Sequence, residues 1–206
     1  MGRALRQAVP GVIIILVATQ ALQNSYYRRA DREYMTAHVQ PYTVADKEAL
    51  PLDSTDLSYL TDIGCSVLLV FAFFGFEEPA VALVHVASAL NGFGMQLLII
   101  YGLKDIVGAL RPNGTYGSFP SGHTGSAAAW CFYGLQWLLS KRTRAVSWYI
   151  AQVFASLCLM FYPWFVAGMR IVGNYHYAAD VTAGYLIGAV SAWSAFACQR
   201  NYTRTL

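Results

Sequence analysis

The stretch PAVALVHVASALNGFGMQLLIIYGL, residues 79–103, contains no Asp, Glu, Lys or Arg. A helix needs about 20 largely apolar residues to cross the hydrocarbon core of a bilayer. This stretch is long enough and therefore predicts a membrane span. It ends at Lys104, where a short polar stretch begins. Because charges are costly at membrane depth, a group of them at the end of a span is a candidate functional site.

The composition of the whole chain agrees with a membrane protein. Of its 206 residues, 56% are hydrophobic and only 12% are charged, whereas a soluble domain has about 25% charged residues. The 14 Tyr and 5 Trp residues suit the aromatic belts at the two membrane–water interfaces. The net charge of +3 comes without a long basic run, so nucleic acid is not an expected partner.

Six segments have the length and composition of membrane-spanning helices. We therefore predict an all-α polytopic membrane protein, a six-helix transmembrane bundle that forms one membrane-embedded domain over residues 1–206. The long connection over about residues 25–56 mixes charges of both signs and is predicted to be an extracytoplasmic loop. The predicted spans are residues 8–24, 57–76, 79–103, 121–139, 146–168 and 178–198.

The first of these segments has a second interpretation. Arg3 and Arg6 stand before an apolar run that ends near Leu22, a pattern that is also typical of a secretory signal peptide. No small-x-small cleavage site ends the run. We therefore predict that this segment is a retained first helix.

The distribution of Lys and Arg predicts which way the bundle faces. With an even number of helices, both termini and the second and fourth loops lie on one side of the membrane. The cations on that side are opposed only by Glu77 and Glu78. The positive-inside rule then places both termini in the cytoplasm and all three polar stretches on the extracytoplasmic side. The cations concerned are Arg3, Arg6, Lys141, Arg142, Arg144, Arg200 and Arg204.

The four cysteines are predicted to be buried free thiols. Cys65, Cys131, Cys158 and Cys198 all lie in apolar stretches and form no CxxC pair or Cys/His cluster. The pattern indicates neither a disulfide framework nor a zinc site. Free thiols in such places behave as small hydrophobic groups.

The stretch Pro120-Ser-Gly-His-Thr124 opens the fourth predicted span. Ser121 is a typical N-cap, and Gly122 lets a ligand approach the backbone closely. The first N–H groups of a helix are unpaired and its dipole favours negative charge, so this helix end is a candidate anion site. Any serine-capped helix would look similar, but His123 at the same helix end strengthens the interpretation.

His176 and Asp180 stand four residues apart at the start of the last predicted span. On one helical face, the carboxylate can accept a hydrogen bond from Nδ1–H of the imidazole. The Nε2 lone pair would then point outward, which is the tautomer that a nucleophilic histidine requires. The alternative is a capping pair in which the two residues only satisfy each other.

Three cations accompany these histidines. Lys104 and Arg111 flank Gly108, where the third predicted span ends, and Arg170 follows the fifth span. Fixed cations match the charge and the several acceptor oxygens of a phosphate. Alternatively, Lys104 and Arg111 only extend to the lipid headgroups. Four predicted helices bring polar ends to the same membrane face, which favours a phosphate site.

Other conspicuous residues have structural interpretations. His85 lies inside the third predicted span and is expected to be a neutral hydrogen-bonding group between helices. Gly184 and Gly188 form a small-xxx-small face. We predict that this face packs helices within one chain and is not a dimer interface.

Together the polar stretches form the pattern Lys-x6-Arg-Pro, Pro-Ser-Gly-His and Arg-x5-His-x3-Asp. This pattern resembles the signature of the type 2 phosphatidic acid phosphatase (PAP2) superfamily, which includes bacterial lipid phosphate phosphatases, glucose-6-phosphatase, soluble acid phosphatases and vanadium haloperoxidases. The resemblance covers about residues 60–198. One departure is Met169, which stands where the third motif normally has Ser, so that one hydroxyl contact to phosphate is missing or replaced.

The resemblance implies a role for each matching residue. His176 would attack phosphorus and form a phosphohistidine, with Asp180 orienting it. His123 would protonate the leaving oxygen and then activate water to hydrolyse the intermediate. No metal and no cofactor are implied, because the cations take the place of a metal. The phosphate-binding groups would be Lys104, Arg111, Ser121, Gly122 and Arg170.

A catalytic cluster among apolar helices at the membrane face is placed to take a lipid headgroup while the chains stay in lipid. We therefore expect a membrane lipid phosphate phosphatase on the outer leaflet of a bacterial-type inner membrane. Phosphatidic acid, phosphatidylglycerophosphate, polyprenyl phosphate or diphosphate and lipid A remain open as substrates, and the oligomeric state remains open too.

The same residues would also serve a phosphotransferase with a lipid or sugar acceptor. A transporter or flippase for phosphate lipids would leave the His176–Asp180 pair without a role.

Overall fold

The computed structural model describes residues 54–113, 116–141 and 145–203. These residues form five α-helices and contain no β-strand. The span predicted over residues 8–24 and the predicted loop up to residue 53 lie outside the described residues. The helices are α1 (Ser54–Phe76), α2 (Pro79–Val107), α3 (Gly122–Ser140), α4 (Val146–Val172) and α5 (Ala178–Thr203).

Each of these helices coincides with one of the last five predicted spans, so the all-α prediction is confirmed for the described residues. By length and composition, α2, α4 and the part of α5 up to Arg200 can cross a membrane. The apolar part of α1, Ile63–Phe76, is shorter, and α3 does not meet the same criterion. The predicted total of six spans is therefore not confirmed.

Helix α3 lies at the centre of the bundle and packs against each of the other four described helices. Most of its side chains between Thr124 and Trp137 are buried, including three consecutive alanines at positions 127–129. Small residues let neighbouring helices approach closely in a membrane protein. Helix α4, in contrast, exposes large apolar side chains such as Phe154 and Trp164. Because protein surrounds α3, its composition need not match that of a lipid-facing helix.

A glycine interface joins α3 to α5. A Cβ atom added at Gly184 would lie 2.3 Å from the carbonyl oxygen of Ser121, and one added at Gly188 would lie 2.2 Å from that of Gly125. A larger side chain at either position would push the two backbones apart. This confirms the prediction that Gly184 and Gly188 pack helices within one chain. It also places the first turn of α3 directly against the first turns of α5.

A group of polar side chains lies at the end of the bundle where α3 finishes, away from its contact with the first turns of α5. Glu77, in the turn between α1 and α2, accepts a hydrogen bond from Trp137 Nε1 at 2.8 Å and another from the Lys141 ammonium. Nδ1 of His85 lies 3.2 Å from the hydroxyl oxygen of Tyr133. His85 is therefore a hydrogen-bonding residue between α2 and α3, as predicted. These contacts hold the C-terminal half of α3 against α2 and the turn between α1 and α2.

None of the four cysteines, all of them among the described residues, forms a disulfide, as predicted. Cys131 is buried in α3, but Cys158 is exposed on α4. The prediction that all four are buried is correct for Cys131 alone, since Cys65 and Cys198 are half-buried. It is wrong for Cys158, because this residue lies on the outward face of a helix that has few buried residues.

Candidate active site

Four helix ends meet at one end of the bundle: the C-termini of α2 and α4 and the N-termini of α3 and α5. A backbone hydrogen bond joins two of them, because the N–H of Ser121 donates to the carbonyl of Asp180 at 2.9 Å. The residues predicted for the site all lie at these ends or in the adjoining loops. They are Lys104, Arg111, Ser121, Gly122, His123, Arg170, His176 and Asp180.

Ser121 occupies the N-cap position of α3, as predicted, but its side chain makes no capping hydrogen bond to the described residues of that helix. Its hydroxyl oxygen instead lies 3.1 Å from Oγ1 of Thr124. The N–H groups of Gly122 and His123 have no carbonyl one turn earlier in the helix and so point out of its end. The start of α3 therefore offers backbone N–H groups to an anion.

Lys104 lies in the last turn of α2, and its ammonium donates a hydrogen bond to the carbonyl of Gly117. The helix ends at Gly108, whose φ of 55° lies in the left-handed region that favours glycine. Arg111 follows in the loop, half-buried, and its Nε has no hydrogen-bond partner within the described ranges. The prediction that the helix ends between Lys104 and Arg111 is confirmed.

Arg170 lies in the last turn of α4 and is only 2% exposed. Its guanidinium carbon is 4.1 Å from the centroid of the Tyr175 ring. Its carbonyl accepts hydrogen bonds from the N–H groups of Tyr175, at 3.1 Å, and His176, at 3.3 Å. The chain after α4 thus folds back over Arg170. Met169, the departure from the family pattern, is half-buried beside it.

His176 and Asp180 are neighbours in the site. Their side chains are 1% and 0% exposed, and Nδ1 of His176 lies 3.7 Å from Oδ2 of Asp180. This distance is longer than a hydrogen bond. The first residue of α5 is Ala178, so His176 precedes the helix and the i,i+4 geometry expected from the spacing does not apply. The structure brings the two residues together without the expected hydrogen bond.

Two donors that the sequence did not reveal hold the carboxylate of Asp180. The hydroxyl of Ser118 donates to Oδ2, and the N–H of Tyr177 donates to the same oxygen at 3.0 Å. Oδ1 has no hydrogen-bond partner in the described part of the chain. The bond from Tyr177 also caps the start of α5. Ser118 was not among the predicted site residues because it lies two residues before the Pro-Ser-Gly-His motif, which begins at Pro120.

Burial is the main influence on the ionisation of His176. It lowers the pKa of His176 from 6.5 to about 4, while the Asp180 carboxylate raises this pKa and Lys104 and Arg170 lower it. The imidazole is therefore neutral at pH 7. A neutral imidazole carries a lone pair on one ring nitrogen and a proton on the other, which is the form that can attack an electrophile.

His123 is the second residue of α3 and is half-buried. It interacts electrostatically with Arg170, His176, Arg111 and Lys104. Lys104 in turn interacts electrostatically with Arg111 and Arg170. The structure therefore brings the predicted histidines and cations into one site at the end of the bundle.

The arrangement suits the chemistry of an oxyanion. Cations and helix N–H groups can hold a group with several negatively charged oxygens. A neutral buried imidazole beside them can act as a nucleophile. Among the residues that the structure describes, no three His, Cys, Asp or Glu side chains come together as metal ligands.

Fold and site together are those of a multi-pass helical membrane protein with a candidate anion site at one end of its bundle. Residues 81–204 match the family model of the PAP2 superfamily, which is more than half of the 206 residues and includes every predicted site residue. The chain belongs to the PAP2 superfamily. No curated protein sequence matches the chain.

Solved structures with a similar fold include two from bacteria. The crystal structure described as the first transmembrane PAP2-type phosphatidylglycerolphosphate phosphatase, from Bacillus subtilis, has a TM-score of 0.69 and 17% sequence identity, over 95% of this chain and 96% of that chain. The crystal structure of Aquifex aeolicus LpxE has a TM-score of 0.51 and 18% identity, over 87% of this chain and 93% of that chain. At these identities the likeness shows the fold alone.

Proposed function

We propose that the protein is an integral-membrane lipid phosphate phosphatase that works through a phosphohistidine. The observation that carries the proposal is the position of His176, which is buried beside Asp180 and interacts electrostatically with Lys104 and Arg170. Membership of the PAP2 superfamily supports the reaction class. The fold shared with a phosphatidylglycerolphosphate phosphatase supports it as well.

In the proposed complex, Lys104, Arg111 and Arg170 surround the phosphoryl oxygens. The hydroxyl of Ser121 and the N–H of Gly122, at the start of α3, complete the binding site. Negative charge spreads over these oxygens in the transition state of phosphoryl transfer. Donors that are already in place stabilise that charge without having to reorganise.

In the first step, Nε2 of His176 attacks phosphorus and the bond between phosphorus and the leaving oxygen breaks. His123, whose protonated form is favoured by the negative charge of the bound phosphate, donates a proton to the leaving oxygen. The ring of His176 gains positive charge as the N–P bond forms, and the Asp180 carboxylate stabilises that charge at Nδ1. The 3.7 Å distance between the two side chains is expected to shorten to a hydrogen bond, because catalytic contacts are often long before substrate binds.

In the second step, the now neutral His123 accepts a proton from water while the water oxygen attacks phosphorus. The N–P bond breaks, inorganic phosphate leaves, and His176 returns to its neutral form. The cations supply the positive charge that a metal ion provides in many phosphatases. We therefore propose that both steps proceed without a metal ion.

The proposed substrate is a membrane lipid that carries a phosphomonoester or a diphosphate. The site lies at the end of the apolar helices α2 and α4, so a headgroup can enter while its chains stay in lipid. Phosphatidic acid, phosphatidylglycerophosphate, polyprenyl phosphates and lipid A are the candidate classes. Because the positive-inside rule favours cytoplasmic termini, we propose that the site faces the extracytoplasmic side of a bacterial-type inner membrane.

A phosphate-release panel tests this function. Full-length protein purified in detergent is assayed against the four lipid classes beside His176→Ala, with thermal unfolding as the control for folding. We expect release from at least one lipid by the unchanged protein and none by the variant. Release by His176→Ala above a contaminant level would rule out His176 as the nucleophile. Transfer of labelled phosphate to an added lipid or sugar alcohol would identify a phosphotransferase instead.

Reporter fusions test the orientation. Alkaline phosphatase is active only outside the cytoplasm. A fusion near Asn113, between α2 and α3, should therefore be active, and one near Arg142, between α3 and α4, should be inactive. The reverse pattern would place the site on the cytoplasmic face of the membrane and eliminate substrates in the outer leaflet.

A further inference from the structure

Ser118 connects two parts of the proposed active site. It is 0% exposed, its N–H donates to the carbonyl of Ala109 at 2.9 Å, and its hydroxyl donates to Oδ2 of Asp180. The preceding residue, Gly117, accepts a hydrogen bond from the Lys104 ammonium. The dipeptide Gly117–Ser118 therefore contacts both a phosphate-binding cation and the carboxylate beside the nucleophile.

The oxygen that Ser118 contacts is the one that faces the nucleophile. Oδ2 of Asp180 lies 3.7 Å from Nδ1 of His176. A hydrogen bond to an ionised carboxylate is stronger than one between neutral groups. Without Ser118, the N–H of Tyr177 would be the remaining hydrogen-bond donor to Oδ2 among the residues that the structure describes, and the carboxylate could rotate away from the imidazole.

We infer that Ser118 is a positioning residue for catalysis. Its hydroxyl holds the Asp180 carboxylate in the orientation that faces Nδ1 of His176. Because the neighbouring Gly117 contacts Lys104, the carboxylate is also held at a fixed distance from this cation. This inference rests on the proposed function, in which His176 is the nucleophile. Ser118 acts through Asp180 and does not itself contact the phosphoryl group.

Kinetics of purified full-length variants in detergent test the inference. Ser118→Ala should lower kcat about 10- to 100-fold, the range expected when one buried hydrogen bond to a charged group is lost. KM should change less than about 3-fold, because the phosphate-binding cations are untouched. Ser118→Thr keeps the hydroxyl and should restore most of kcat. Ser126→Ala, at a buried serine further along α3, is the matched control and should behave like the unchanged protein.

A double-mutant cycle separates positioning from general stability. If Ser118 acts through Asp180, Ser118→Ala should reduce kcat by less than about 2-fold in an Asp180→Asn background, since coupled residues are not additive. An equal loss in both backgrounds would show a purely structural role and overturn the inference.

Further outcomes are also decisive. If Ser118→Ala does not fold, Ser118→Cys keeps the size of the side chain with only a weak donor, and full activity of that variant would overturn the inference. Turnover that Ser118→Ala leaves unchanged would overturn the positioning role alone. A complete lack of turnover by the unchanged, folded protein would overturn the proposed function and the inference together.

Discussion

The guanidinium of Arg170 lies over the face of the Tyr175 ring, with 4.1 Å between Cζ and the ring centroid. The ring faces a guanidinium that is almost completely buried. It therefore restricts the orientation of Arg170 before any substrate arrives. The ring is therefore one neighbour that orients this cation, next to the position where Met169 stands in place of the usual Ser.

Replacing the Tyr175 ring should weaken the interaction of Arg170 with phosphate. Tyr175→Leu is expected to lower kcat/KM about 3- to 30-fold, because a partly buried cation–π contact contributes about 0.5–2 kcal/mol. Steady-state phosphate release measures the effect. Tyr175→Phe is the matched control: it keeps the ring and should stay close to the unchanged protein. If the Phe variant loses as much activity as the Leu variant, the hydroxyl of Tyr175 matters and the stacking does not.

The ionisation of His176 predicts the acid side of the pH profile. The nucleophile must be neutral, and burial lowers its pKa to about 4, so the acid limb of kcat/KM should fall well below pH 6.5. Asp180→Asn removes a charge that raises this pKa, so the limb should move to still lower pH while the rate drops about 10²- to 10⁴-fold. Measuring kcat/KM of the unchanged protein and of Asp180→Asn from acidic to neutral pH checks this. An acid limb near pH 6.5 would show that His176 is not the group that titrates.

Phosphate release should not depend on a divalent metal. Lys104, Arg111 and Arg170 provide positive charge at the site, and carboxylate ligands for magnesium are few there. Activity should survive excess EDTA, and vanadate should inhibit because it mimics pentacoordinate phosphorus. Loss of activity on chelation, with recovery on adding magnesium, would contradict the proposed mechanism.

The glycine interface should be sensitive to a single methyl group. Gly184→Ala places a Cβ against the carbonyl oxygen of Ser121 and should destabilise the protein by about 1–3 kcal/mol through overpacking. The thermal midpoint in detergent measures it. Gly94→Ala is the matched control, because a Cβ there meets nothing within 4 Å and alanine favours a helix over glycine. Equal midpoints for the two variants would contradict a tight contact between α3 and α5.

The sequence predicted the described helices well, because each apolar stretch ends near glycine, proline or charge. The structure brings the predicted site residues together at one end of the bundle. The contact between Ser118 and Asp180 joins residues 62 positions apart, and no local pattern reveals such a pair. The expected hydrogen bond between His176 and Asp180 is absent because α5 begins only at Ala178. Spacing alone indicates that two residues are near each other, but it does not locate the first helical residue.

The interior position of α3 has a consequence for topology diagrams drawn from hydropathy. By length and hydropathy, α2, α4 and α5 are recognised as membrane spans and α3 is not. A span that is overlooked reverses the side of the membrane assigned to everything after it. Without α3, Lys104 at the end of α2 and Arg170 at the end of α4 would be drawn on opposite faces of the bilayer. Omitting α3, whose side chains are mostly buried in the bundle, would thus divide the candidate phosphate site between the two faces of the membrane.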